Sequence, residues 1–141
     1  MSQPRYFRLT AEANKFAEAL ISADIFKDKR QVSQFGFTLG IKDKKHLEID
    51  SKDLKTTTEK APGSFYAIVS EMSLETIYLR LFPKTNKDDL GIAIQKAASH
   101  GLLICEKKFY DSDNEIILWD SLQKYIDWQS LDERNFMVDS D

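Results

Sequence analysis

Apolar and polar residues alternate over Arg5-Tyr6-Phe7-Arg8-Leu9-Thr10, which puts Phe7 and Leu9 on one face and Tyr6, Arg8 and Thr10 on the other. A period of two predicts a short strand. The period then changes. Ala13, Phe16, Ala17, Leu20 and Ile21 follow helical spacing behind Thr10, whose hydroxyl suits an N-cap, and the pattern fades at Asp24-Ile25-Phe26. Asp28 can cap a second helix, in which Val32, Phe35, Gly36 and Leu39 share a face. Gly40 reads as its left-handed terminating residue. A small-x-x-x-small pair with Gly36, which would let another helix approach closely, is the alternative.

From Lys42 to Gly63 the chain is polar and ends in the turn signal Pro62-Gly63, so it reads as a linker with room for a short strand over His46–Ile49. Helical spacing resumes at Phe65, Tyr66, Ile68, Val69 and Met72. A further helix follows Ser73 with Leu74, Ile77, Tyr78 and Leu81, and Pro83 stops it. Asn86 can cap the next, which carries Leu90, Ile94, Ala97 and Ala98 and is expected to end at His100-Gly101. Leu102–Tyr110 and Glu115–Trp119 read as strands of a hairpin around Asp111-Ser112-Asp113-Asn114. A last helix behind Asp120 would hold Leu122, Tyr125 and Ile126.

The expected fold is therefore mainly α with short strands (α+β). A strand-helix-helix module spans 1–42, a polar linker 43–63, a helical, hairpin-containing module 64–131 and a loose tail 132–141. Residues 74–119 also fit the order of a winged helix. Its recognition helix, Lys87–Ser99, would carry Asp88 and Asp89 toward phosphate, which favours protein contacts for that half.

Composition sharpens this picture in two ways. The net charge of −3 is uneven: residues 1–60 carry a net +3 and residues 61–141 a net −6. The first half is thus the better candidate for a polyanion partner. No apolar run approaches the roughly 20 residues of a membrane span, the start MSQPRYFRLT has no apolar stretch of a secretory signal, and Cys105 is the only cysteine. These point to a cytoplasmic protein with no membrane partner.

Motifs for catalysis, metals and cofactors are absent. Two histidines and one cysteine cannot supply a closed tetrahedral zinc site. His46-Leu47-Glu48 has the H-x-E form of zinc deaminases but lacks the P-C-x-x-C partner, and an exposed loop histidine explains it better. His100 beside Gly101 reads as a helix C-terminal residue. Asp111-x-Asp113-x-Glu115 resembles the start of a calcium loop, yet loop positions six and twelve hold Ile116 and Leu122 instead of Gly and Glu. The five glycines are scattered, so no phosphate-cradling loop forms, and no G-x-S-x-G elbow occurs. Cys105, in the run Leu102-Leu103-Ile104, reads as a buried inert thiol.

One resemblance carries a function. The strand over Arg5–Thr10, followed by two helices and the stretch Phe26-Lys27-Asp28-Lys29-Arg30-Gln31-Val32-Ser33-Gln34-Phe35-Gly36-Phe37-Thr38-Leu39, resembles the ribbon-helix-helix fold of ParD-type antitoxins and related repressors. Members of that family pair two ribbons into a sheet that enters the DNA major groove, and the second helix holds a phosphate. The resemblance implies a homodimer, with Tyr6, Arg8 and Thr10 facing double-stranded DNA and Lys29, Arg30 and Gln31 at the phosphate. The family usually has a glycine between its helices, where this chain has Asp24-Ile25. Phe26, Phe35, Leu39 and Gly40 also resemble a pattern of small accessory proteins of bacterial DNA sulfur-modification (Dnd) defence systems.

Two main readings follow. One is a non-enzymatic DNA-binding accessory or regulatory protein, dimerising through its ribbon and binding a partner protein through its acidic half, in a bacterial defence or toxin–antitoxin system. The other is a protein–protein adaptor or oligomeric subunit without DNA contact. An enzyme with a site assembled from distant residues is the third, and no motif carries it.

Overall fold

The computed structural model describes residues 6–54, 64–111 and 116–117. The described residues form five α-helices: α1 (Ala11–Ser22), α2 (Lys29–Gly40), α3 (Phe65–Glu71), α4 (Leu74–Leu81) and α5 (Lys87–Phe109). Two short 3-10 turns, Lys45–Glu48 and Ser51–Asp53, follow α2. The chain divides into two compact units, Met1–Ile104 and Cys105–Asp141, so the division falls inside α5 and not in the polar stretch 43–63.

The caps of α1 and α2 are local chemistry. Thr10 Oγ1 accepts from the Ala13 N–H at 3.2 Å and Asp28 Oδ1 from the Gln31 N–H at 3.0 Å, each satisfying a donor that the first turn leaves open. Between the two helices Asp24 stands at φ 61°. This is the left-handed position that glycine adopts freely and that Asp tolerates better than most residues.

In the first unit Phe7, Leu9, Phe16, Leu20, Val32, Phe37, Phe65, Ile68, Leu74, Tyr78, Ile94 and Leu102 are buried. Helix α2 meets α5 where both lack side chains. A methyl on Gly36 would lie 2.5 Å from the Ala98 carbonyl oxygen, one on Gly40 would strike the Ala97 carbonyl, and one on Gly101 would strike the Gly36 carbonyl. Gly40 is thus the last residue of α2 and a point of helix contact. No described glycine has a positive φ, so its expected role as a left-handed terminator gives way to close approach.

The α+β expectation is overturned, because the described fold is helical. Residues 6–10 form no ribbon. Tyr6 makes one isolated antiparallel bridge, to Ser64 of the same chain. The Arg8 N–H donates to Gln95 Oε1 at 2.5 Å and the Thr10 N–H to Ser99 Oγ at 3.0 Å. Side chains of α5 thus occupy backbone donors that a second ribbon would need. The predicted strand Leu102–Tyr110 is α-helix as far as Phe109, so α5 passes through His100-Gly101 without stopping. Leu90, Ile94, Ala98, Leu102 and Cys105 are all buried and recur every three or four residues, which is helical period carried straight through the glycine. Among the described residues no hairpin of the expected extent is present. In the second unit, pairing among described residues is limited to Tyr110–Asp111 (β1) with Ile116–Ile117 (β2). The expected helix behind Asp120, the tail 132–141 and most of the acidic turn lie outside the described residues.

Candidate functional site

The six residues singled out for DNA contact are not gathered on one open face. Tyr6 is half-buried beside its bridge to Ser64, and Arg8 is half-buried. Thr10 does not face outward: it is buried and its hydroxyl is the α1 cap. At the start of α2, Lys29 Nζ donates to Asn14 Oδ1 of α1 at 2.5 Å. Arg30 pairs with Glu71 Oε2 of α3 at 2.6 Å. Gln31 Oε1 accepts from the Lys27 N–H at 2.8 Å. Gln34, also buried, donates to the Ile68 carbonyl and to Glu71 Oε1, both at 3.1 Å. The polar start of α2 is therefore tied to α1 and α3, and the charge of Arg30 is met by a carboxylate.

A different set of residues converges where the sequence showed only a polar linker. His46, in the first 3-10 turn, is fully buried and is not an exposed loop histidine. Its Nδ1 lies 3.1 Å from the Asp43 carbonyl oxygen, and its Nε2 lies 2.8 Å from the Tyr78 hydroxyl of α4. A carbonyl can only accept, so Nδ1 carries the ring proton, and in the neutral ring Nε2 accepts from the Tyr78 O–H. Aromatic edges enclose the imidazole: its centroid is 5.6 Å from that of Tyr78 and 5.2 Å from that of Phe82, both near edge-on. The other histidine, His100 of α5, reaches the same segment, with Nε2 3.2 Å from Asp43 Oδ1. Asp43 therefore touches both histidines, one through its carbonyl and one through its carboxylate.

Electrostatics follow from burial. Loss of water holds His46 below the usual histidine value of 6.5, the Asp43 carbonyl acts the other way, and the nearby His100 and Lys96 add to the lowering. Burial pushes the Tyr78 hydroxyl up, which keeps it a donor at neutral pH. In the second unit, burial pushes the Cys105 thiol up to about 12, so it stays protonated and a poor nucleophile. Among the described residues no three His, Cys, Asp or Glu side chains are grouped to hold a metal ion.

The sequence carried little sign of this cluster. Its one usable signal was scarcity: the chain has two histidines, and Asp43 stands three residues before the first. The partner Tyr78 is 32 residues away on a helix whose apolar stripe explained it as core.

A cleft of about 320 Å³ lies elsewhere in the first unit, lined by Phe65, Glu75, Thr76, Leu79, Lys87, Leu90 and Gly91. It is mostly apolar with one acid and one base at its wall. No protein-family model matches this chain, and no curated protein or solved structure matches it either. No described helix is long and apolar enough to cross a membrane.

Proposed function

We propose that this chain is a non-enzymatic protein–protein interaction module, an adaptor or subunit of a multiprotein complex that makes no direct contact with DNA. The observation that carries this reading is where large apolar side chains remain exposed. Four of the five among the described residues, Tyr66, Met72, Leu79 and Leu81, fall within one stretch of α3 and α4. Tyr66 is the most open, at 70% exposure, and Leu79 also lines the cleft. An exposed tyrosine and an apolar cleft are features that protein interfaces use. The DNA reading, by contrast, needs free ribbon edges and unpaired cations. Here the ribbon donors at Arg8 and Thr10 and the Arg30 guanidinium are engaged within the chain.

A photo-crosslinking residue placed at Tyr66 in the intact chain, in its own cells, should trap one protein, and the trap should be lost when Leu79→Asp is added. The same residue placed at Lys52 should not trap it. Anisotropy of a labelled duplex should show no salt-sensitive binding by the wild type. Salt-sensitive binding that Arg8→Glu abolishes would overturn the adaptor reading and restore DNA as the partner.

A further inference from the structure

We propose that the buried His46 ring is an acid-sensitive latch, holding residues 41–54 against α4 and α5 while it is neutral and freeing them when it takes up a proton. The inference stands on the connectivity of the cluster and is independent of what the protein binds.

Residues 41–54 have few anchors of their own. Only His46 and Leu54 are buried within the segment, and its two 3-10 turns are short. Besides the buried Leu54, His46 reaches Tyr78 and Phe82, and the Asp43 carboxylate lies 3.2 Å from His100 Nε2. The contact of His46 with Tyr78 depends on proton count. In the neutral ring Nδ1–H serves the Asp43 carbonyl and Nε2 receives the Tyr78 hydroxyl proton. A second ring proton makes Nε2 a donor, so the Tyr78 hydroxyl must rotate its proton away and meet the ring with its oxygen. The Thr85 hydroxyl beside it donates to the Phe82 carbonyl at 2.7 Å, and its oxygen can accept the displaced proton, so the second ring proton costs the burial of its charge and not a lost partner.

Of the charged groups around the ring, His100 and Lys96 disfavour a cation and Asp43 favours one. From α5 the ring is faced by His100 and Lys96, from its own segment by Asp43, and from α4 by the uncharged Tyr78. The one carboxylate, Asp43, is also the carboxylate that His100 approaches. Burial completes the argument, since a ring with no access to water loses the hydration that stabilises its charge. Releasing the segment lets the imidazolium reach water. The atoms that meet where α2 crosses α5 belong to Gly36, Gly40, Ala97, Ala98, Gly101 and Leu102, none of which titrates.

Hydrogen exchange of the full chain, read by nuclear magnetic resonance from about pH 7.5 to about pH 5 and corrected for intrinsic amide chemistry, tests this. Carboxylates stay ionised across most of that range. The ring signals of the two histidines are separated with His100→Gln. Protection of the Leu47, Ile49 and Leu54 amides should fall as the His46 ring titrates, by up to about tenfold per pH unit, the limit for one proton. Ile94, Ala98 and Leu102 should stay better protected throughout and lose no more than the global stability that acid removes. In His46→Gln, which can keep a bond to Tyr78 but cannot charge, the 41–54 amides should lose their acid response. Constant protection of that segment, whether or not His46 titrates, overturns the latch. So does equal protection of the two regions throughout, which would mean that they open together, or an acid response in His46→Gln equal to wild type. The wild-type titration decides the matter even if His46→Gln fails to fold.

Discussion

Two regions hold elements against α5 by opposite physics. Where α2 crosses it, Gly36, Gly40 and Gly101 remove side chains so that backbone meets backbone. Where residues 41–54 reach it, the hold is made of placed polar atoms: Asp43, His46, Tyr78 and His100 at 2.8–3.2 Å. The glycine crossing tolerates no added volume and is indifferent to pH. The histidine clasp depends on where protons sit. Close packing is rigid because every missing or extra atom is felt, whereas a polar cluster can change state without changing composition.

Gly40→Ala should do the most damage. Its methyl meets the Ala97 backbone carbonyl, which cannot swing aside as a side chain would, so urea unfolding should show a loss of about 3 kcal/mol or more. Alanine's better helix propensity offers only about 1 kcal/mol in the other direction. A neutral or stabilising result would show that α2 and α5 are not in backbone contact.

Tyr78→Phe ranks next, at about 1–3 kcal/mol, because it strips the buried His46 Nε2 of its donor. The loss should be concentrated in residues 41–54. A uniform loss across α2 and α5 would mean that the two regions are not separable as drawn.

Acid should act on the same side of the comparison. The folded state holds His46 below 6.5, so the unfolded chain binds the proton more readily. The clasp's contribution is therefore full above that value. It is lost as pH falls through 6.5 toward the folded value, after which the loss levels off. Chemical denaturation at several pH values should show this slope in wild type and a smaller one in His46→Gln.

Thr10→Ala should cost about 1 kcal/mol through the lost α1 cap. Arg30→Ala should be smallest, about 0.5 kcal/mol, since its pair with Glu71 is nearly half exposed. A large effect of Arg30→Ala on duplex binding, with stability unchanged, would return that residue to the nucleic-acid reading.

Legibility tracked the range of each interaction. The caps at Thr10 and Asp28, and the stripes of α1 and α2, were readable because each rests on residues three or four apart. Gly101 misled because a glycine after an apolar stripe is an ordinary stop signal. The run Leu102-Leu103-Ile104-Cys105 is also too short to tell helix from strand by itself. The ribbon misled for another reason. Phe7 and Leu9 do alternate and are buried, but Gln95 and Ser99 took the backbone donors a partner strand would use.

Sequence by itself determined the helix starts, the apolar faces and the uneven charge, because these are properties of neighbours along the chain. Only tertiary structure decided that Gly40 is a contact point, that α5 runs through Gly101, and that His46 is buried against Tyr78. Each of those depends on atoms brought together from distant positions. A histidine's burial, and with it the proton it can hold, is settled by what packs around it.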